Sequence, residues 1–303
     1  MHNNQQGKIN IRGVDHYYEW VRKPNPNHQP KPVMIFVHGW GGSCRYWRTT
    51  AEAISSDFDC LLYDLRGFGN SSSSIPREQI PREQEAPTPL LSNNNYNLTY
   101  EIEEYAEDLL VLLDTFNLEK VYINAHSMGA SVAIFFLNLA PKRVEKAILN
   151  CNGVFPYDER AFTAFHKFGG YVVKFRYNWF LKVPFADQFF MARFLNRPIP
   201  KDFIKAFLED FLLADYQAAL GTIYTSVSKK AAEIMPKEFA KIEVPTILIS
   251  GEKDQITPAS MAKEAALLND KISYVEIPAT AHFPMLEDAP TYLKVIQEFL
   301  YSE

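Results

Sequence analysis

The 303-residue sequence predicts a doubly wound α/β fold on a mostly parallel sheet, with an inserted α-helical cap. Three observations predict it: short, near-continuous apolar runs, longer helical patterns alternating with them, and one long stretch where that rhythm stops. Residues 8–11 and 15–22 read as an antiparallel pair at the sheet edge. The runs at 33–37, 60–63, 121–125, 147–149 and 246–249 are apolar throughout, as strands covered on both faces must be. Helical patterns at 43–56, 100–116, 128–139, 258–268 and 290–301 fall between and after them, and strand–helix alternation of this kind builds a parallel sheet. A short strand over 274–277 precedes the last helix.

Two segments interrupt the pattern. Residues 71–97 carry the tandem pentapeptide Ile75-Pro-Arg-Glu-Gln and Ile80-Pro-Arg-Glu-Gln, then Pro87, Pro89 and three asparagines. Proline, glutamine and asparagine without periodicity indicate a flexible surface insertion with no chemistry of its own. Residues 154–228 contain no convincing buried strand and read as a helical cap or lid. The core is then 1–153 together with 229–303. Within 155–194, fourteen of forty residues are aromatic, against 14% for the chain, and six Lys or Arg face three acids.

Composition narrows the function. An apolar fraction of 47% supports a packed core, and 31 basic against 36 acidic residues give a net charge of −5, which disfavours nucleic acid as a partner. Three cysteines, Cys44, Cys60 and Cys151, are odd in number and unspaced for zinc, so they read as reduced and mostly buried. The first residues lack the basic and apolar regions of a secretory signal, and the longest apolar run falls short of a membrane span. A cytoplasmic location is expected.

The most specific local signal is Ala125-His-Ser-Met-Gly129, between the strand at 121–125 and the helix at 128–139. Small residues on both sides of a sharp strand-to-helix turn let the two backbones nearly touch, and such a turn lifts the Ser127 hydroxyl over the sheet at a helix N-terminus. A serine N-cap on a buried helix is the bland alternative. Serine is a poor nucleophile without a base, and the base needs an orienting acid. Asp254 follows the strand at 246–249, and His282 follows the one at 274–277. Both thus fall at carboxyl ends of strands, the edge where an open parallel sheet binds ligands. His38 reads as shaping its turn and His126 as packing. Asp64 and Arg66 read as fixing a turn.

With these residues in order Ser, Asp, His, the sequence resembles the α/β-hydrolase fold superfamily, of the serine esterase or lipase kind, over nearly its whole length. His38-Gly-Trp-Gly-Gly-Ser43 resembles that family's oxyanion loop, which implies the backbone N–H groups of Trp40 and Met128 as oxyanion donors. Asp64-Leu-Arg-Gly-Phe-Gly-Asn-Ser71 resembles its D-x-R-G-x-G-x-S turn, and Glu287-Asp288 the acids that trail its histidine. Asn150-Cys-Asn-Gly153, where some relatives carry the acid, offers no carboxylate.

The resemblance implies hydrolysis of a carboxylic ester through an acyl-enzyme, with Ser127, Asp254 and His282 catalytic and with no metal or organic cofactor. The aromatic cap residues, about Phe155 to Phe194, suggest a pocket for a hydrophobic small-molecule or lipid substrate, and the basic, aromatic cap suggests peripheral contact with a membrane. Carbon–carbon bond hydrolysis, cofactor-free perhydrolysis and a non-turnover small-molecule receptor remain open on the same residues.

Overall fold

The computed structural model describes residues 5–25, 29–71, 90–91 and 97–302. In chain order the strands are β1 (Gln6–Ile11), β2 (Val14–Val21), β3 (Val33–Val37), β4 (Asp59–Tyr63), β5 (Leu90–Leu91), β6 (Asn97–Leu98), β7 (Val121–His126), β8 (Val144–Asn150), β9 (Thr246–Gly251) and β10 (Ile272–Ile277). β5 and β6 pair with each other. The other eight form one sheet in the order β1-β2-β4-β3-β7-β8-β9-β10. The first two strands pair antiparallel at the edge, as expected, and all pairs from β4 to β10 are parallel. The pentapeptide repeats, within the insertion expected at 71–97, lie outside the described residues.

The central strands show why continuous apolar runs were needed. Along β3, Ile35 and Val37 enter one core cluster while Met34 and Phe36 enter the other. The first cluster is closed by α2 (Ile102–Thr115), α3 (Met128–Leu139) and α9 (Ala259–Ala266), the second by α1 (Arg48–Ile54) and α11 (Ala289–Leu300). Both faces of the sheet are therefore covered, and each buried Leu, Ile or Phe side chain contributes about 1.5–3 kcal/mol of apolar burial. The helix expected over 43–56 is divided: a 3₁₀ turn, Cys44–Trp47, leads into α1. Its start is held by Asp64, whose Oδ1 accepts from Cys44 N–H at 2.6 Å, and Asp64 Oδ2 accepts from Asn70 N–H at 2.8 Å. Arg66, fully buried, pairs with Asp108 at 3.0 Å and lies 4.5 Å over the Tyr105 ring. Both residues of the Asp64 turn thus fix its shape.

Between β8 and β9 the chain forms α4 (Glu159–Lys174), a 3₁₀ turn (Asn178–Lys182), α5 (Ala186–Met191), α6 (Lys201–Leu213), α7 (Tyr216–Ser226) and α8 (Lys229–Ala240). α4 packs on α7, and α5 on α6. α6 is fastened to the loop after β3, where Ser43 Oγ donates to Asp210 Oδ2 at 2.6 Å and Arg45 pairs with Glu209 and Asp210. α10 (Pro284–Glu287) precedes α11. Among the described residues no helix is long and apolar enough to cross a membrane.

Candidate active site

The strand order places one point of the sheet apart from the rest. From β3 the chain moves outward to β4, whereas from β7 it moves the other way to β8 and β9. The crevice above such a reversal, at the carboxyl ends of the strands, is where doubly wound sheets hold ligands. The loop 38–43 and Ser127 both stand there.

β7 ends at His126 and α3 starts at Met128, so Ser127 alone makes the turn. It is held at φ 53° and ψ −122°, a conformation that a residue with a Cβ adopts only when its surroundings enforce it. Ser127 N–H donates to the Asn150 carbonyl at 2.8 Å, and Asn152 Nδ2 donates to the Ser127 carbonyl at 2.9 Å. A Cβ on Gly129 would lie 2.3 Å from the His38 carbonyl oxygen, so glycine is what lets α3 begin against the end of β3.

Asp254 follows β9 in a tight turn. Its Oδ1 accepts from the N–H groups of Ile256 (2.8 Å) and Thr257 (3.0 Å), which aims Oδ2 the other way. His282 follows β10, and Gly251 is where the two loops cross: a Cβ there would lie 2.0 Å from the Ala281 carbonyl oxygen. The backbone on both sides of His282 is held by Glu287, whose Oε1 accepts from Ala281 N–H (2.9 Å) and Phe283 N–H (3.2 Å). Its Oε2 accepts from Asn196 and Arg197 N–H, tying the chain beyond α5 to the same loop. His282 N–H itself donates to the Phe194 carbonyl at 2.9 Å.

These turns bring three residues, widely separated in sequence, into one row. His282 Nε2 lies 3.1 Å from Ser127 Oγ, and His282 Nδ1 lies 2.8 Å from Asp254 Oδ2. Because the carboxylate accepts at Nδ1, the hydrogen is assigned to Nδ1, and Nε2 presents its lone pair to the hydroxyl. Asp254 and His282 are buried, while Ser127 keeps partial exposure. Trp40 is half-buried, its Nε1 donating to the Ala219 carbonyl at 3.0 Å. Met128 N–H belongs to the first turn of α3, where backbone donors have no partner inside the helix.

Two buried histidines frame this row. His38 Nδ1 donates to the Gly39 carbonyl (2.7 Å) and Nε2 accepts from Leu65 N–H (2.9 Å); burial lowers its pKa to about 4. His126, expected only to pack, does more. Its Nε2 donates to the His282 carbonyl at 2.7 Å, and its Nδ1 accepts from the Tyr46 hydroxyl at 3.0 Å. That hydroxyl in turn accepts from Gly39 N–H at 2.6 Å. Burial, then the neighbouring His282, keeps His126 well below the usual imidazole range and so neutral. No spacing in the sequence signals this bridge, since Tyr46 and His126 are joined only by the fold.

His126, Cys151 and His282 bring ligating atoms within 4.8 Å of one another. All four ring nitrogens are already hydrogen-bonded within the chain, and burial, then Asp254, pushes the Cys151 thiol up, away from the thiolate a metal needs.

The aromatic residues of 155–194 divide. Phe194 lies 6.0 Å from the His282 ring, and Phe190 stacks 4.9 Å from Phe211, itself 5.6 Å from Trp40. Phe155 and Tyr157 pack on Phe162. Phe168, Phe175, Trp179 and Phe189 face outward instead, the last 80% exposed.

Comparison with known proteins agrees with this architecture. The family model described as alpha/beta hydrolase fold matches residues 32–289. The chain is 22% identical over 285 residues to the protein named "Putative carbamate hydrolase RutD" of Pseudomonas savastanoi pv. phaseolicola, covering 91% of this chain and 96% of that one. Among solved structures, an esterase from Exiguobacterium antarcticum superposes with a TM-score of 0.74 at 17% identity, covering 98% of this chain and 100% of that one. The enol-lactonase from Burkholderia xenovorans LB400 gives 0.71 at 18%, with the same coverage.

Proposed function

Since the chain belongs to the alpha/beta hydrolase fold family, we propose that it is a serine hydrolase that cleaves a carboxylic ester of a hydrophobic substrate. The observation that carries this reading is the hydrogen-bonded row from Ser127 Oγ through His282 to Asp254, at 3.1 and 2.8 Å. In the first step Ser127 Oγ attacks the ester carbonyl while His282 Nε2 takes its proton. Asp254 holds the ring's orientation and stabilises its cationic form. The backbone N–H groups of Trp40 and Met128 receive the tetrahedral oxyanion, each contributing about 3–4 kcal/mol to the transition state. His282 then gives its proton to the departing alcohol, leaving an acyl-serine. In the second step His282 Nε2 takes a proton from water as its oxygen attacks the acyl carbonyl, and the protonated His282 then gives that proton to Ser127 Oγ as the acid leaves.

The hydrophobic preference is supported by what faces this row. Phe190, Phe194, Phe211 and the Trp40 ring form a string of aromatic contacts beside His282. An ester with a medium or long acyl chain gains burial there, at about 0.8 kcal/mol for each methylene taken from water. The names of the relatives, an esterase and an enol-lactonase among them, fit attack on an activated acyl carbon. Turnover of p-nitrophenyl esters of graded chain length tests the reading. Multiple turnover that rises with chain length and is abolished in a folded Ser127→Ala variant is expected. One slow event per molecule would make the protein a receptor, and undiminished turnover in Ser127→Ala would require another nucleophile.

A further inference from the structure

Eleven of the seventeen exposed large apolar side chains among the described residues lie between Tyr157 and Phe189. Scattered apolar residues need no explanation on a protein surface, but a continuous patch marks a surface that meets something. α4 is the clearest part of it. Its buried residues, Gly169 and Val173, mark the face that packs on α7. Phe165, Phe168, Tyr171 and Phe175 recur at spacings of three and four, hence on one row of the helix, and all four are exposed. The chain directly beyond α4 adds further exposed rings, Trp179 (55% exposed), Phe185 (63%) and Phe189.

Charge identifies what this surface meets. From residue 160 to 186 there is no Asp or Glu, in a chain whose net charge is −5. Lys167 and Lys174, seven apart and therefore on one row beside the aromatic row, are exposed, as are Arg160 and Lys182. Arg176, the remaining cation of the segment, is buried and donates to the carbonyls of Phe211 and Ala214, which frees none of its charge for the surface. Aromatic rings along one row with lysines along the next are what an element lying in a lipid–water interface presents: rings enter the acyl boundary, and ammonium groups reach the headgroups. Glu159 and Asp187, at the starts of α4 and α5, flank this stretch and leave it a net cationic face. A second copy of the same face would be repelled, and a basic partner would be too.

We propose that the face formed by α4, the following 3₁₀ turn and α5 docks this protein on an anionic lipid surface. Docking there places the most exposed ring of this face, Phe189, at the membrane and its neighbour Phe190 on the aromatic string that leads through Phe194 to His282. An apolar substrate dissolved in lipid would then reach Ser127 without crossing water.

Co-sedimentation of the full chain with vesicles tests this, using phosphatidylcholine alone or with about one-third phosphatidylglycerol. Binding to the anionic vesicles is expected, with a blue shift of tryptophan emission that Trp179→Phe removes. Phosphatidylcholine alone, or high salt, should weaken it by roughly tenfold or more. Lys167→Glu, Lys174→Glu and Lys182→Glu combined should cause a similar loss while leaving melting and turnover of soluble esters unchanged. Phe165→Ser, Phe168→Ser and Phe175→Ser combined, confirmed folded by the same melting temperature, should abolish binding. Ser127→Ala should bind as the parent does, so that docking is judged separately from catalysis. Absence of binding to either vesicle overturns the proposal, and so does a concentration-dependent dimer that the phenylalanine variant dissociates.

Discussion

α3 and α4 both follow a strand of the parallel sheet at its carboxyl end, and both are rich in large apolar side chains. α3 places its apolar residues inward. Val132, Ile134, Phe136 and Leu137 are buried in the core. α4 places Phe165, Phe168 and Tyr171 outward and lays Gly169 and Val173 against α7. The difference shows that aromatic content alone does not say where a helix will bury itself. What decides is which row has a neighbour: α3 lies on the sheet between other helices, whereas among the described residues α4 packs chiefly on α7.

The largest expected effect breaks this comparison at a single residue type. Phe136→Ala, which empties a fully buried site, should lower unfolding free energy by about 3–5 kcal/mol. Phe168→Ala, at a position 61% exposed, should stay within about 0.5 kcal/mol. Urea unfolding of the two variants checks it. Similar losses would mean that the α4 face is covered in solution.

The same contrast explains what could be read in advance. Strands such as β3 were legible because burial on both faces leaves a continuous apolar run. Ser127, Asp254 and His282 were legible because each sits in a short motif next to a strand end, and the geometry brings these three together. The outward turn of the α4 aromatics was not, because a helical repeat fixes which residues share a row and leaves open which row meets a neighbour. The tie from Tyr46 through His126 to the His282 backbone was illegible for a related reason. It joins side chains and a carbonyl from three separate segments, and nothing local in any of them needs the other two.

A second contrast concerns protons. The body buries neutral imidazoles, His16 and His38, with pKa values lowered to about 3 and about 4 by desolvation above all. As pH falls through about 6.5 the unfolded chain takes up a proton that native His38 refuses until about pH 4. Stability is therefore present above 6.5 and drains away below it, by about 1.4 kcal/mol per pH unit for each such group. Asp64 and Asp108, raised to about 6 by burial, act in the opposite sense, since the native state then takes the proton first as pH falls. Comparing one variant with its parent cancels that offset. The fall in stability between pH 6 and 5 should be shallower in His38→Gln by about 1.4 kcal/mol, and unchanged in Phe168→Ala. Urea titrations at the two pH values measure both, and a parallel fall in all three proteins would remove His38 from the account.

The smallest effect is a gain, and it separates two helical glycines of α4 that differ only in which row they occupy. A Cβ on Gly170 would meet the Tyr224 hydroxyl at 3.7 Å and Leu220 Cδ1 at 3.9 Å, ordinary contact distances. Alanine restricts the unfolded chain and suits a helix interior better than glycine, so Gly170→Ala should stabilise by about 0.4–1 kcal/mol. At Gly169 the new methyl would stand 3.1 Å from Ile223 Cδ1, and the side chain on α7 must yield to admit it. Gly169→Ala should therefore gain less than Gly170→Ala, or lose. Thermal melting of the pair reads the difference directly: an equal gain at both positions would mean that α4 stands off from α7, and that the row against α7 is uncovered too.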